Sequence, residues 1–409
     1  MTQSVHHHRH TAGSLERFSR RLMGATAVVA ALAAFVGCVR EPALYLHYPG
    51  EVEIEQHYTD LDLAKFWDYP NDDGTTYNWQ DEWFYGWDDA DGETFGEIGY
   101  TPSYAFNIRS YFTGATAAGT HQSVLQDAFD GMLYRSAYDP GYWDFLTWNQ
   151  ISTPDGVQSL VFSEPSDLSA VTASTNMTMR ASRYQAPTYP RSFYQPEQLF
   201  SAYSVGQRLT QAVGSYQYGE QPATNLLHID MTLQLLTYIY LPQVILHHNK
   251  GRITSIDGSA SLSGMARSVN LFTGVAGSDA ITVYYNMRFK TNRSMRGESV
   301  DIAGGRLLTF GMCNINGTRV GLNADGSRAV ANVNDAVRHY MEVTMQFNNG
   351  NDSTFVFDVT NQVRRKYKGG VLTVELDMDT IPVPRRSGGS GFDAVVKDYE
   401  DGGTHVIEM

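Results

Sequence analysis

The chain has 409 residues, and 30 Lys and Arg against 44 Asp and Glu give it a formal net charge of −14 at pH 7. The acidic excess lies in residues 38–220, with 8 basic and 25 acidic residues, whereas residues 221–409 contain 18 of each. Such an acidic surface repels phosphates, which argues against a nucleic-acid partner. The aromatic content of 12% and the 37 glycines favour strands joined by tight turns over helical bundles.

The first 37 residues have the parts of an export signal. A basic leading segment precedes Ala25–Val36, an uncharged apolar run of 12 residues, which is shorter than the ~20 residues that a membrane-spanning helix needs. Gly37 and Cys38 follow. This order resembles the bacterial lipobox, which implies that residues 1–37 are removed and that Cys38 receives the lipid that binds the protein to a bilayer. The His-rich run at residues 6–10 falls in the discarded segment and is assigned no function.

The second cysteine is Cys313. Because an acylated Cys38 cannot pair with it, we expect no intramolecular disulfide and a buried free thiol at Cys313.

An acidic, aromatic stretch covers residues 66–100, after a segment (residues 44–58) that predicts two short strands around Pro49-Gly50. Trp79, Trp83 and Trp87 are spaced by four, which on a helix would give one aromatic face, although Asp and Gly interrupt the pattern. One interpretation is a sugar platform, in which rings stack on pyranose faces and carboxylates accept hydroxyl hydrogen bonds. The other, which the sequence favours, is core and loop packing of a β domain.

The rest of the first half predicts strands and a connector. Residues 102–114 alternate as a strand, residues 124–134 fit a short helix or a strand, and residues 138–150 have two apolar faces, which predicts burial on both sides. Residues 152–220 are poor in aliphatic side chains and predict a connector with a short helix begun at Pro196. We place a domain boundary near residue 220.

The second half gives clearer strand signals. Residues 225–248 predict one long strand or two, and residues 281–289 and 304–315 predict one strand each. Residues 340–363 predict a hairpin around Asn349-Gly350, and a further strand follows from residue 369. Short connections between these strands predict an antiparallel sandwich. The sequence therefore predicts an all-β protein with β-sandwich domains at residues 38–220 and 221–409.

The sequence motifs of common catalytic and metal sites are absent. The chain has no HExxH, CxxC, GxSxG or P-loop sequence, and Asp88, Asp89, Asp91 and Glu93 lack the ligand order of an EF-hand loop. We therefore assign no catalytic residue, metal or cofactor. Basic clusters at residues 288–296 and 364–368 predict solvated loops, or contacts with an acidic neighbouring molecule.

Several stretches together resemble the fimbrillin-associated lipoproteins of Bacteroidales, in particular a branch with an LSGMA…VNL segment. They are the lipobox Cys38, PGYWDFLTWN (residues 140–149), SLSGMARSVNLFTG (residues 261–274), TFVFDVTNQV (residues 354–363) and the ending GSGFDAVVKDYEDGGTHVIEM (residues 389–409). The resemblance implies two tandem transthyretin-like, Greek-key β-sandwiches tethered to the outer membrane.

The resemblance also implies a non-catalytic role as an anchor or accessory subunit of a type V pilus. The expected partners are the lipid bilayer, through acylated Cys38, and fimbrillin-like protein subunits. The alternative is a surface glycan-binding lipoprotein that uses Trp79, Trp83 and Trp87 as ligand contacts. The final segment (residues 392–409) is expected to be the last strand of its own sandwich rather than a strand donated to another subunit.

Overall fold

The computed structural model of the protein describes residues 50–69, 75–151, 159–178, 192–210, 226–315, 336–384, 393–396 and 407–408. These residues form three β-sheets and a few short helices, which confirms the predicted all-β fold. None of the helices in this part of the chain is long and apolar enough to cross a bilayer.

The first sheet has seven strands in the order β3-β2-β5-β9-β10-β1-β4. Its strands are β1 (Gly50–Tyr58), β2 (Ala105–Gly114), β3 (Ser123–Asp130), β4 (Leu133–Tyr138), β5 (Gly141–Asn149), β9 (Phe200–Leu209) and β10 (Leu226–Leu235). The apolar faces of β5 explain its central position, since seven of its nine residues are buried. Residues 124–130, for which the sequence allowed a helix, belong to strand β3.

A small third sheet, β13-β7-β6, contains β6 (Leu160–Ser163), β7 (Thr172–Thr175) and β13 (Ser268–Asn270). The second sheet has eleven strands along the path β16-β11-β15-β14-β12-β17-β18-β20-β21, with β19 paired to β11 and β8 paired to β14. Its strands are β8 (Ser192–Tyr194), β11 (Tyr238–His247), β12 (Ile253–Ala266), β14 (Ala280–Met295), β15 (Glu298–Gly305), β16 (Leu307–Thr309), β17 (Tyr340–Phe347), β18 (Asp352–Asp358), β19 (Gly370–Asp377), β20 (Asp393–Val396) and β21 (Ile407–Glu408).

Four short α-helices connect these strands. They are α1 (Leu63–Phe66), α2 (Trp79–Glu82), α3 (Asp89–Phe95) and α4 (Thr360–Arg365), and a 3₁₀ turn covers Leu168–Ala170. The helix predicted at Pro196 is wrong, because residues 195–199 are irregular and run directly into β9.

The sheets are mixed rather than purely antiparallel, which corrects the sequence prediction. β1 runs parallel to β10, and β11 runs parallel to β19, each over eight register pairs. The predicted hairpin is confirmed: β17 and β18 pair antiparallel from Tyr340↔Asp358 to Gln346↔Asp352, and Gly350 in the turn has a φ of 77°.

Strand pairing does not divide at residue 220. β10 belongs to the first sheet, so that sheet extends to Leu235. In the other direction, β7 pairs with β13, and β8 pairs with β14. The hydrophobic core that contains Val52 and Ile54 of β1 also contains Ile245 of β11 and Val371 of β19. Segments from both halves therefore share sheets and a core, and the two-domain division at residue 220 stays a prediction.

Candidate functional site: the aromatic segment and the open edge of the first sheet

The aromatic segment (residues 66–100, of which 66–69 and 75–100 are described) is packed against the second sheet. Its first residues bind the backbone just before β19. Trp67 Nε1 donates to the Lys368 carbonyl at 3.1 Å, and Tyr69 Oη donates to the Gly369 carbonyl at 2.9 Å. Tyr69 Oη also accepts from the Lys368 amide at 2.6 Å. These bonds satisfy backbone groups where the aromatic rings exclude water.

Gln243 of β11 joins the middle of the aromatic segment to the sheet. Its Oε1 accepts from the Tyr85 amide at 3.1 Å, and its Nε2 donates to the Glu82 carbonyl at 2.6 Å and to Thr373 Oγ1 at 2.9 Å. Gln243 is completely buried, so these bonds compensate for the loss of water from its amide group. One side chain thus connects the aromatic segment, β11 and β19.

The acidic residues of the aromatic segment pair with one of the basic clusters. Asp91 is fully buried, and its carboxylate accepts from Lys290 Nζ at 2.5 Å and from Tyr85 Oη at 2.6 Å. Lys290 Nζ also lies 2.9 Å from Asp88 Oδ2, and this ammonium lowers the pKa of Asp88 to about 2. Two of the four carboxylates considered as calcium ligands, those of Asp88 and Asp91, therefore pair with a lysine of the same chain.

The second basic cluster contributes a similar contact. Lys366 Nζ lies 2.6 Å from Glu82 Oε2 and 5.0 Å from the centre of the Tyr77 ring. Like Lys290, Lys366 therefore pairs with an acidic residue of the aromatic segment. These contacts correct the expectation of solvated loops for the two lysines.

The three candidate tryptophans do not share one helical face. α2 ends at Glu82 and α3 begins at Asp89, and Gly86 between them has a φ of 69°, which interrupts a helix. Trp83 is 7% exposed, and its Nε1 donates to the Gly86 carbonyl at 3.1 Å.

The flanking tryptophans are half-buried. Trp79 meets Trp67 edge-on, with ring centres 5.9 Å apart, and Trp87 packs against Phe95 at 5.6 Å. Trp83 thus belongs to the core, whereas a ligand or partner contact at Trp79 and Trp87 stays a prediction.

A polar cleft lies between β3 and β4, the two edge strands of the first sheet. β3 and β4 are consecutive in the chain and joined by Gly131-Met132, yet they stand at opposite ends of the seven-strand order. Between them lies a cavity of about 210 Å³, lined by Ser110, Leu125, Gln126, Asp127, Tyr134, Ser136, Ala137 and Tyr138. The sequence pattern does not reveal this cleft, because its lining comes from β2, β3 and β4, whose side chains meet only in the folded sheet.

Hydroxyl groups form a network at the base of the cleft. Tyr134 Oη donates to Asp127 Oδ2 at 3.1 Å and lies 3.3 Å from Tyr138 Oη, which is 2.8 Å from Ser110 Oγ. Burial raises the pKa of both tyrosines. Both phenols therefore keep their protons at neutral pH and can donate hydrogen bonds.

The two cysteines differ in what the structure describes. Cys38 lies outside the described residues, so its lipidation stays a prediction. Cys313 is a buried free thiol, as expected, and burial raises its pKa to about 11. It is thus protonated at neutral pH and poorly suited to act as a nucleophile.

No protein-family model matches the sequence, and no curated protein matches it. The solved structures similar to the chain include a candidate adhesin from Bacteroides ovatus, with a TM-score of 0.46 and 10% identity over 84% of this chain and 98% of that one. They also include the fimbrial anchor protein Mfa2 from Porphyromonas gingivalis, with a TM-score of 0.34 and 11% identity over 88% and 95% of the two chains.

A third similar structure is a candidate polysaccharide-binding protein from Bacteroides thetaiotaomicron, with a TM-score of 0.36 and 8% identity over 82% and 94% of the two chains. Similarity at these scores assigns neither a family nor a function to this chain.

Proposed function

We propose that the protein is a lipid-anchored, non-catalytic component of the outer membrane that acts as an anchor or accessory subunit of a fimbrium. The observation that carries the proposal is Cys38, which follows an apolar run and Gly37 and precedes the first described strand by 12 residues. A diacylated cysteine at this point would attach the all-β body to the membrane through a short tether.

The position of β1 suits a strand that bears load. β1 lies inside the first sheet, with eight register pairs to β10 and six to β4. A pull on Gly50 from the membrane side would run along the strand axis. The ladder hydrogen bonds on both sides of β1 would then share the load, rather than break one after another.

The segment after β1 connects directly to the second sheet. The aromatic segment begins eight residues after Tyr58 and binds β11 through Gln243 and β14 through Lys290. Force that enters at β1 would thus reach both sheets through a segment held by buried hydrogen bonds and an ion pair. This continuity supports a structural, force-bearing role.

The cleft between β3 and β4 is the surface we propose for a partner subunit. β3 and β4 are edge strands, and the edge side chains Leu125 and Leu133 are about half exposed. An edge strand can pair with an extended segment of another chain, with main-chain bonds giving affinity and alternate side-chain pockets giving specificity.

The first test is copurification. A C-terminally tagged protein is extracted gently from outer membranes of its host, beside a Cys38→Ala form. The proposal expects fimbrillin-like subunits to copurify with the parent, and membrane association to be lost in Cys38→Ala. A membrane-bound protein without protein partners would contradict the fimbrial role, whereas an unchanged location of Cys38→Ala would contradict the anchor.

The second test separates the cleft from the tryptophans. Leu125→Arg would introduce a charge and bulk at the cleft and is expected to reduce subunit capture. Val161→Arg is the matched control, because Val161 is a similarly exposed strand residue, 47% against 49%, in the third sheet. Loss of polysaccharide binding on Trp79→Ala or Trp87→Ala, with subunit capture absent in the parent, would favour the glycan-binding alternative instead.

A further inference from the structure

We propose that a divalent transition-metal ion, Zn²⁺ above all, binds on the outer face of the β1–β10 pair, with Glu55, His228 and Asp230 as ligands and His57 as the fourth. The site follows from strand geometry. Side chains two residues apart in a strand point to the same face. The outward set of β1 therefore includes Glu55 and His57, whereas Gln56 between them points inward and is buried.

The register brings the ligands of the two strands together. In the parallel β1–β10 ladder, Glu53 lies opposite His228 and Glu55 lies opposite Asp230. One histidine and one carboxylate from each strand thus meet on one surface, although the strands are far apart in the sequence.

The distances between the ligand atoms fit a small tetrahedral ion. His228 Nε2 lies 3.2 Å from Asp230 Oδ1 and 3.8 Å from Glu55 Oε2. His57 Nε2 lies 3.6 Å from Asp230 Oδ1 and 3.8 Å from Glu55 Oε1. Metal–ligand bonds of about 2.1 Å in a tetrahedron place ligand atoms about 3.4 Å apart. The ligand atoms of Glu55, His228 and Asp230 all lie within 4.8 Å of one another, so small side-chain movements would let these three share an ion, whereas His57 would have to move further to become the fourth ligand.

A further carboxylate orients the histidine. His228 Nδ1 lies 3.2 Å from Glu53 Oε1, which leaves Nε2 directed toward Asp230 and Glu55. In metal sites the second ring nitrogen of a histidine ligand usually donates to such a carboxylate, which fixes the tautomer and the ring orientation. Glu53 has this position without being a ligand itself.

The guanidinium of Arg135, on the adjacent strand β4, does not occupy the site. Arg135 of β4 pairs with Glu51 and lies 3.9 Å from the other carboxylate oxygen of Glu53. In a second histidine–carboxylate group, formed by His248, Asp377 and Asp379, the ammonium of Lys250 lies 2.8 Å from Asp379. That group already has a cation of the protein's own, which makes it a suitable control.

The chemistry of the four groups selects the metal. Two imidazoles and two carboxylates suit Zn²⁺ and similar borderline ions better than Ca²⁺ or Mg²⁺, which prefer oxygen ligands alone. Because the ion would bridge β1 and β10, its binding would stabilise the pairing of β10 with β1, the first described strand after Cys38.

The test measures Zn²⁺ binding by competition with a chelating dye. All proteins are full chains in which His6, His7, His8 and His10 are replaced by serine, so that the N-terminal histidines do not contribute. The parent is expected to bind one equivalent of Zn²⁺. His228→Ala and Asp230→Asn are each expected to weaken binding at least ten-fold, and Glu53→Gln about ten-fold. His248→Ala should bind as the parent does.

Two further measurements make the result independent of folding defects. Far-UV circular dichroism checks that each variant keeps its strands, and Co²⁺ in place of Zn²⁺ should give the intense visible absorption of a four-coordinate site. Stoichiometric binding that survives both His228→Ala and Asp230→Asn, or that is lost equally in His248→Ala, would overturn the proposal. So would the absence of measurable Zn²⁺ binding by the folded parent.

Discussion

Gly304→Ala tests how tightly the aromatic segment is packed on the second sheet. A Cβ atom at Gly304 of β15 would lie 2.4 Å from Tyr85 Cγ and 2.5 Å from Cδ2, well inside van der Waals contact. The Tyr85 ring cannot easily move away. Its amide is bonded to Gln243, its Oη to Asp91, and the Lys290 ammonium lies 4.0 Å from the ring centre.

We expect Gly304→Ala to lower the free energy of unfolding by about 1–3 kcal/mol, the usual cost of overpacking a core. Gly258→Ala is the matched control. Gly258 also lies in a strand, β12, but a Cβ there would meet no atom within 4 Å. Its replacement should be neutral or slightly stabilising, because alanine loses less conformational freedom on folding than glycine does.

Equilibrium unfolding in urea, followed by far-UV circular dichroism, measures both changes. The close contact also predicts coupling to Tyr85: in a Tyr85→Ala background, Gly304→Ala should lower the free energy of unfolding much less than in the parent. If Gly304→Ala were as stable as Gly258→Ala, or if its cost were unchanged without the Tyr85 ring, the contact would not have the role assigned to it.

Three further predictions concern buried polar groups. Burial lowers the pKa of His339 from 6.5 to about 4. The neutral ring therefore favours folding above pH 6.5, and about 3 kcal/mol of the free energy of unfolding is lost as the pH falls to 4. His339→Leu should flatten the dependence of the urea midpoint on pH. Asp91→Asn, which breaks the buried pair with Lys290, should lower the free energy of unfolding by about 3 kcal/mol in the same urea assay. A decrease no larger than that caused by Asp88→Asn, at an exposed residue, would contradict this prediction. Cys313 should resist maleimide in the folded protein and react only after unfolding, as mass spectrometry would show.

Local patterns in the sequence predicted local structure well. The alternating residues on either side of Asn349-Gly350 form the β17–β18 hairpin, and the two apolar faces of residues 141–149 form a strand buried in the sheet. The helix expected at Pro196 did not form. There the chain has to extend between β8 and β9, and strand pairing on both sides determines its conformation.

The role of the aromatic segment could not be predicted, because its partners are distant in the sequence. The acidic, aromatic stretch at residues 66–100 and the basic clusters at residues 288–296 and 364–368 are each visible in the sequence as charged stretches. Composition alone does not say whether such stretches face solvent, another molecule or each other. Asp91 meets Lys290 only in the folded structure, where β14 carries the lysine to the buried carboxylate.

The proposed metal site could not be predicted from the sequence either. Alternation alone places Glu53, Glu55 and His57 on one face of a strand, and His228 and Asp230 on one face of another. Neither set has a recognisable metal-binding spacing by itself. Only the parallel register of β1 and β10, which joins residues about 175 positions apart, creates a cluster in which paired histidine and carboxylate atoms lie 3.2–3.8 Å apart. A shift of one residue in that register would direct one set into the core and the other to solvent, so metal binding would itself report that the first sheet is correctly paired.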